Sequence, residues 1–203
     1  MRTLVIENQY FPCILFYSLV LRIEEVLIEN KEHFVKRSFR NRMQLPGPNG
    51  IQTLSVPLQS GKSKKVIDSI GISYAEDWRK NHWHSIKTLY KNAPYFEHYQ
   101  TPLEKIYAEE FNTLFELNNA IHQFIMDSLN VEKKFMFTGV YRQSYDSTKY
   151  IDARNHIMPN ALHIEGFMHK NYWQIFQDKI GYQPNMSILD LLMCEGPNAI
   201  EIL

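Results

Sequence analysis

The chain opens on an apolar run, Leu4-Val5-Ile6, that has no polar alternation and so reads as a strand covered on both faces. The polar and aromatic residues Glu7-Asn8-Gln9-Tyr10-Phe11 end it. Pro12 follows at the expected start of a helix, where a missing N–H costs nothing. Residues 13–23 are apolar nearly all round, which predicts a deeply buried helix. Glu25 to Ile28 reads as a second strand, giving a strand-loop-helix-strand opening with a right-handed crossover.

Farther along, the pattern is mixed. In the run from His33 to Arg42, cationic side chains interleave with Phe34 and Phe39. If the run is extended, alternation places Lys36 and Arg40 on one face and Arg37 on the other. Leu45-Pro46-Gly47-Pro48-Asn49-Gly50 is the strongest turn signal in the chain. Ile51 to Leu58 reads as a strand leaving it, with Pro57 near its end or on an edge. A basic loop over Ser60 to Lys65 leads to a further predicted strand, Val66 to Tyr74.

From Glu76 the period lengthens. Trp78, His82, Ile86, Leu89 and Tyr90 share a helix face that Asn92-Ala93-Pro94 ends. Thr101-Pro102-Leu103-Glu104 has capping-box spacing and predicts one helix from there to about Leu129. Glu132 to Tyr145 supplies a candidate strand, 146–170 reads as irregular, and Tyr172 to Lys179 and Met186 to Glu195 read as short closing helices. The expectation is a single α/β domain over 1–203. Its sheet-forming part occupies about 1–74 with the first strand interior, and its mainly helical part about 76–203.

Composition narrows the function classes. Lys+Arg and Asp+Glu each total 22, so the formal net charge is zero, without the basic excess of general nucleic-acid binding. Cys13 and Cys194 are the only cysteines and lack CxxC spacing, which suits a reducing compartment. The apolar stretch Phe11 to Leu21 contains Pro12, stops at Arg22 and is too short to span a bilayer. Glu7 and Asn8 interrupt the run before it, so a signal peptide is not expected and the cytoplasm is.

Candidate chemistry begins after the first strand. In open α/β sheets, ligands settle beyond the carboxyl ends of strands, which points to Gln9, Tyr10 and Phe11, although no GxGxxG or GxxxxGK[ST] fingerprint occurs. Core packing of Tyr10 and Phe11 accounts for that loop equally well. Lys36, Arg37, Arg40, Asn41 and Arg42 offer donors for a phosphate or carboxylate, against the commoner fate of a basic run as a solvated face. His82 and His84 point apart on a helix, and His156, His163 and His169 show no ligand spacing, so no metal and no cofactor are expected. The apolar neighbours of Cys13 favour an inert buried thiol.

Several segments together resemble the WbqC-like family of bacterial proteins. Gln9-Tyr10-Phe11-Pro12 is similar to that family's entry motif. Lys36, Asn41-Arg42 and Leu54-Ser55-Val56-Pro57 are similar to its second block, Trp78, His82 and Tyr90-Lys91-Asn92-Ala93-Pro94-Tyr95-Phe96 to its third, and Ser187-Ile188-Leu189-Asp190-Leu191-Leu192 to its closing motif. The resemblance runs from residue 9 to 192. It implies a setting beside surface-polysaccharide assembly, hence a transferase that modifies a nucleotide- or carrier-linked amino sugar. In that reading Lys36 and Arg42 hold phosphate, Gln9 and Asn41 orient the substrate, and His82 is the acid/base. With Tyr10, these residues are expected to line one concave pocket, with His82 or Tyr90 on the far wall and a phosphate-bearing small molecule as the ligand. The alternative is a non-catalytic binding or assembly protein that uses the same pocket or an aromatic surface around Tyr90, Tyr95 and Phe96.

Overall fold

The Leu4-Val5-Ile6 run forms the middle of strand β1 (Thr3–Glu7), and all three side chains are fully buried. Burial on both faces needs neighbours on both edges. β1 has them, lying between β2 (Val26–Glu29) and β6 (Tyr150–Asp152), with β5 (Phe135–Phe137) beyond β2. All three pairings are parallel, so the sheet presents four carboxyl ends along one side. Helix α1 (Ile14–Arg22) connects β1 to β2 and buries every residue from Ile14 to Val20. The computed structural model describes residues 2–59, 65–159 and 170–203.

A separate antiparallel hairpin follows, β3 (Arg42–Gly47) and β4 (Gly50–Ser55), closed at Gly47 and Gly50 around Pro48-Asn49. Gly50 sits at φ +121, a conformation that a side chain would strain. Beyond the hairpin, helices dominate: α2 (Trp78–Tyr90), α3 (Phe96–Ala108), α4 (Leu114–Ser128), then the shorter α5 (Gln177–Ile180), α6 (Ile188–Glu195) and α7 (Ala199–Ile202). The chain is thus mixed α/β with an interior first strand and helices mostly in its second half.

Four local expectations are corrected. Residues 36–41 form turns and bends instead of a strand, and Arg37 has φ 58. Val66 to Tyr74 is a 3-10 turn (Ile67–Ser69) with isolated bridges, because Ile67 and Ile70, three apart, both turn inward where a strand would point them apart. The helix expected over 101–129 is two helices. The capping box lies at Thr113 and Glu116, and Pro102 sits inside α3, whose stripe of Phe96, Tyr99, Leu103, Ile106 and Tyr107 is buried. Strand β6 lies in a stretch expected to be irregular, while β5 falls within the strand expected over Glu132 to Tyr145. His163, His169 and most of the basic loop fall outside the described residues.

The loop between β1 and α1 is pinned on two sides. Tyr10 N–H donates to Phe39 O (2.9 Å), the Ser187 hydroxyl donates to Phe11 O (2.9 Å), and Ile188 N–H donates to Pro12 O (2.8 Å). Between these anchors Phe11 is held at φ 40, strained for a bulky residue, and its ring is fully buried.

Candidate functional site at the strand ends

Each parallel strand delivers a hydrogen-bonding side chain at its carboxyl end: Glu7 from β1, Glu29 from β2, Thr138 just past β5, and Asp152 from β6. Glu7 and Glu29 are register partners and both are fully buried, so two like charges stand side by side out of water. Such an arrangement needs partners. Glu29 receives the Thr138 hydroxyl (2.7 Å), Lys31 N–H (2.8 Å) and the Arg154 guanidinium (3.2 Å). Glu7 receives the Gln9 amide (2.8 Å) and Asn155 N–H (3.0 Å), the latter from a residue at φ 61, a region asparagine tolerates.

A second carboxylate–guanidinium pair lies beside the first. Arg40, fully buried, grips Glu32 with Nε and Nη2 at 2.7 and 2.9 Å, and Nη2 also donates to Asn155 Oδ1 (2.9 Å). A buried forked pair of this kind is costly to break, about 3–5 kcal/mol on removal of one partner. Several polar atoms of this network have no partner among the described residues: Arg40 Nη1, Asn8 Oδ1, Gln9 Oε1 and Asn118 Oδ1.

Over these groups opens a cavity of about 400 Å³, lined by Glu32, Tyr141, Gln143, Asp152, Arg154, Asn155 and His156. Its two carboxyls are pushed apart. Burial raises Glu32 above the usual range; Arg40 counters this, and the charges of Glu7 and Glu29 add to the rise. Burial also acts on Asp152, but hydrogen bonds from Arg154 outweigh it and hold the carboxyl low. The two carboxyls thus differ in direction, Glu32 raised chiefly by burial and Asp152 lowered by Arg154. Two further depressions, about 270 and 390 Å³, lie along α2 around Asp77, Lys80 and Trp83. They carry no comparable buried network.

The residues singled out from sequence are distributed through the molecule. Gln9 joins the strand-end network through Glu7 and Ile157 O (3.5 Å). Tyr10 is fully buried, its hydroxyl bonded to His82 Nδ1 (2.9 Å) and the Tyr107 hydroxyl (2.7 Å), and burial lowers His82 to about 4. Tyr90 donates to Asp190 Oδ1 (2.8 Å), which also accepts Tyr172 and Gln174 at Oδ2, with burial raising Asp190 to about 6. Asn41 donates to Val56 O (2.8 Å), tying the hairpin's base, while Arg42 is half-buried and Lys36 exposed. None of the seven is among the residues lining the strand-end cavity; Tyr10 and His82 are brought into contact, and the others lie in different environments. The reason is physical: the rings of Tyr10, Tyr90 and His82 are worth more buried, and each polar end has found an internal partner. Cys13 is buried too, its thiol raised to about 11.

Sequence reading missed Glu7, Glu29, Glu32, Asp152, Arg154 and Asn155 because they gather from three distant segments. Available signals were the acids just after apolar runs, at Glu7 and Glu29, and the close pair Asp152-Arg154.

A parallel sheet with a polar cavity over its strand ends defines a mixed α/β protein. Over residues 8–202 the chain matches the model of the WbqC-like protein family, and it belongs to that family. It is similar to the uncharacterized protein Rv1507c of Mycobacterium tuberculosis, with 26% identity over an alignment of 222 residues that covers 98% of this chain and 96% of the relative. No solved structure matches. Among the described residues, no helix is long and apolar enough to cross a membrane, and no group of three or more His, Cys, Asp or Glu is arranged to hold a metal ion.

Proposed function

We propose that this protein is a cytoplasmic transferase, acting as one domain, that modifies a nucleotide- or carrier-linked amino sugar for surface-polysaccharide assembly. The sugar sits in the strand-end cavity. Family membership supports the polysaccharide setting. The cavity supports the rest: about 400 Å³ walled by side chains that donate and accept hydrogen bonds, edged by a tyrosine, and containing one raised and one lowered carboxyl. In this reading Glu32, ionised against Arg40, takes the proton of the sugar's attacking amine or hydroxyl as that atom bonds to the acyl carbon of an activated donor, whose carrier leaves with the bonding electron pair; Asp152 stays ionised against Arg154, and the phosphate lies at the mouth near His156 and Arg142. A non-catalytic binding role would use the same walls without needing Glu32 to change protonation.

A thermal-shift screen with nucleotide amino sugars and the matching free nucleotides tests this reading. Ligand at about 100 times its dissociation constant stabilises by about 2.7 kcal/mol, well within detection. We expect the sugar-bearing compounds to raise the melting temperature more than the bare nucleotides, and Gln143→Ala to remove the difference. An unchanged melting temperature across the panel would refute the proposal. Turnover lost in Glu32→Gln with binding retained separates the enzyme from the binding protein.

A further inference from the structure

The cavity's outer wall comes from a segment with almost no regular structure. Residues 139–149 leave β5 and return to β6 with nearly every side chain exposed, yet Tyr141 and Gln143 from this strap line the cavity. One side chain ties the strap's middle to the sheet. Arg154 donates through Nη1 to Arg142 O (2.8 Å) and through Nη2 to Gln143 O (3.3 Å). The same guanidinium holds Asp152 with Nε and Nη2 (2.8 and 2.6 Å) and Glu29 with Nη1 (3.2 Å).

A guanidinium has five N–H donors. In Arg154 each has an acceptor, and the cation also lies over two aromatic rings, 4.9 Å from the Tyr145 ring centre and 5.4 Å from that of Tyr141. Arg154 therefore has no donor left over for a substrate anion, although it is a cation lining a cavity. Its bonds run between the ends of β2 and β6 on one side and two strap carbonyls on the other. That geometry belongs to a clamp.

What the clamp holds in place is Tyr141. Tyr141 is 49% exposed at the edge of a cavity whose other described walls are polar. An apolar ring beside acceptors and donors matches a pyranose, which has an apolar C–H face and a rim of hydroxyls that both give and take hydrogen bonds. We propose that Tyr141 is the stacking platform for the substrate's sugar ring, and that Arg154 is a positioning residue that fixes this platform before substrate arrives. The proposal rests on the functional reading above for the identity of the ligand, but the clamp stands independently of it.

Two measurements test the parts separately. The first needs no ligand. Arg142 is exposed, and its carbonyl is one the clamp holds, so tryptic cleavage of the Arg142–Gln143 bond reports opening of the strap. Lysine keeps the charge at 154 but cannot fork to two carboxylates and two carbonyls. Arg154→Lys should thus be cut after Arg142 about ten-fold faster than the natural chain, with cleavage elsewhere unchanged. Equal rates overturn the clamp. The second titrates a nucleotide sugar and its free nucleotide into Tyr141→Ala and Tyr141→Phe. The alanine variant should lose about ten-fold in affinity for the sugar compound and none for the nucleotide, and phenylalanine should retain both. Unchanged sugar affinity in Tyr141→Ala overturns the platform. If the natural chain binds no nucleotide sugar, the functional reading and the platform fail together, while the cleavage rates still decide the clamp.

Discussion

At the scale of single residues, burial decides which polar groups serve structure and which face a ligand. His122 shows the first case. It is buried with Nδ1 2.6 Å from the Tyr17 hydroxyl and its ring stacked on Phe16, and burial lowers it to about 3. His82 is lowered to about 4 for the same reason. The unfolded chain protonates these rings below about pH 6.5, whereas the folded chain resists until far lower. Their contribution to stability is complete above about pH 6.5 and falls away as pH drops toward 4. Asp190 acts in the opposite sense: raised to about 6, it lets the folded state hold a proton that the unfolded chain releases above about pH 4, so stability declines as pH rises through that window. His122→Gln keeps a neutral acceptor for Tyr17 and removes one titration. Denaturant unfolding from pH 7 to 4.5 should show an acid limb shallower by about one proton, or about 1.4 kcal/mol per pH unit. An unchanged limb would mean that His122 is already protonated in the fold. His82 could be read from sequence as a helix-face residue, but its burial could not, since that depends on Tyr10 and Tyr107 arriving from elsewhere.

At the scale of elements, local signals were legible where one segment carried them whole. The apolar run at 4–6, the apolar helix after Pro12 and the Pro48-Asn49 hairpin all specify themselves. Capping boxes show the limit. Thr101 to Glu104 and Thr113 to Glu116 have the same spacing, and only the second caps a helix: Glu116 N–H donates to the Thr113 hydroxyl (3.2 Å), and Thr113 N–H donates to Glu116 (3.2 Å). The first lies inside α3, where burying the aromatic stripe outweighs the cost of Pro102. Thr113→Ala should lower stability by about 1 kcal/mol in urea, and Thr101→Ala should change it by a few tenths at most. A larger loss at Thr101 would contradict the boundary between α3 and α4. Strand β5 falls inside the strand expected over Glu132 to Tyr145, whereas β6, three residues long in a stretch that reads as irregular, is too short for alternation to mark.

At the scale of the whole molecule, the candidate site is a product of topology. Glu7, Glu29 and Asp152 are each the last residue of a strand, and parallel pairing in the order β5-β2-β1-β6 brings them to one rim. Sequence places ligand chemistry after β1, which agrees with that rim through Gln9, but it also directs attention to Lys36, Asn41 and Arg42 as a phosphate grip. Those residues belong to a turn and the base of the hairpin, while the cavity draws on residues 32 and 141–156. Calorimetric titration of a nucleotide amino sugar into two single variants separates these locations. If the strand-end cavity holds the sugar, Gln143→Ala loses about ten-fold or more in affinity, near 1.4 kcal/mol, and Arg42→Ala binds as the natural chain does. Affinity lost in Arg42→Ala and kept in Gln143→Ala would place the ligand at the hairpin base and contradict the account.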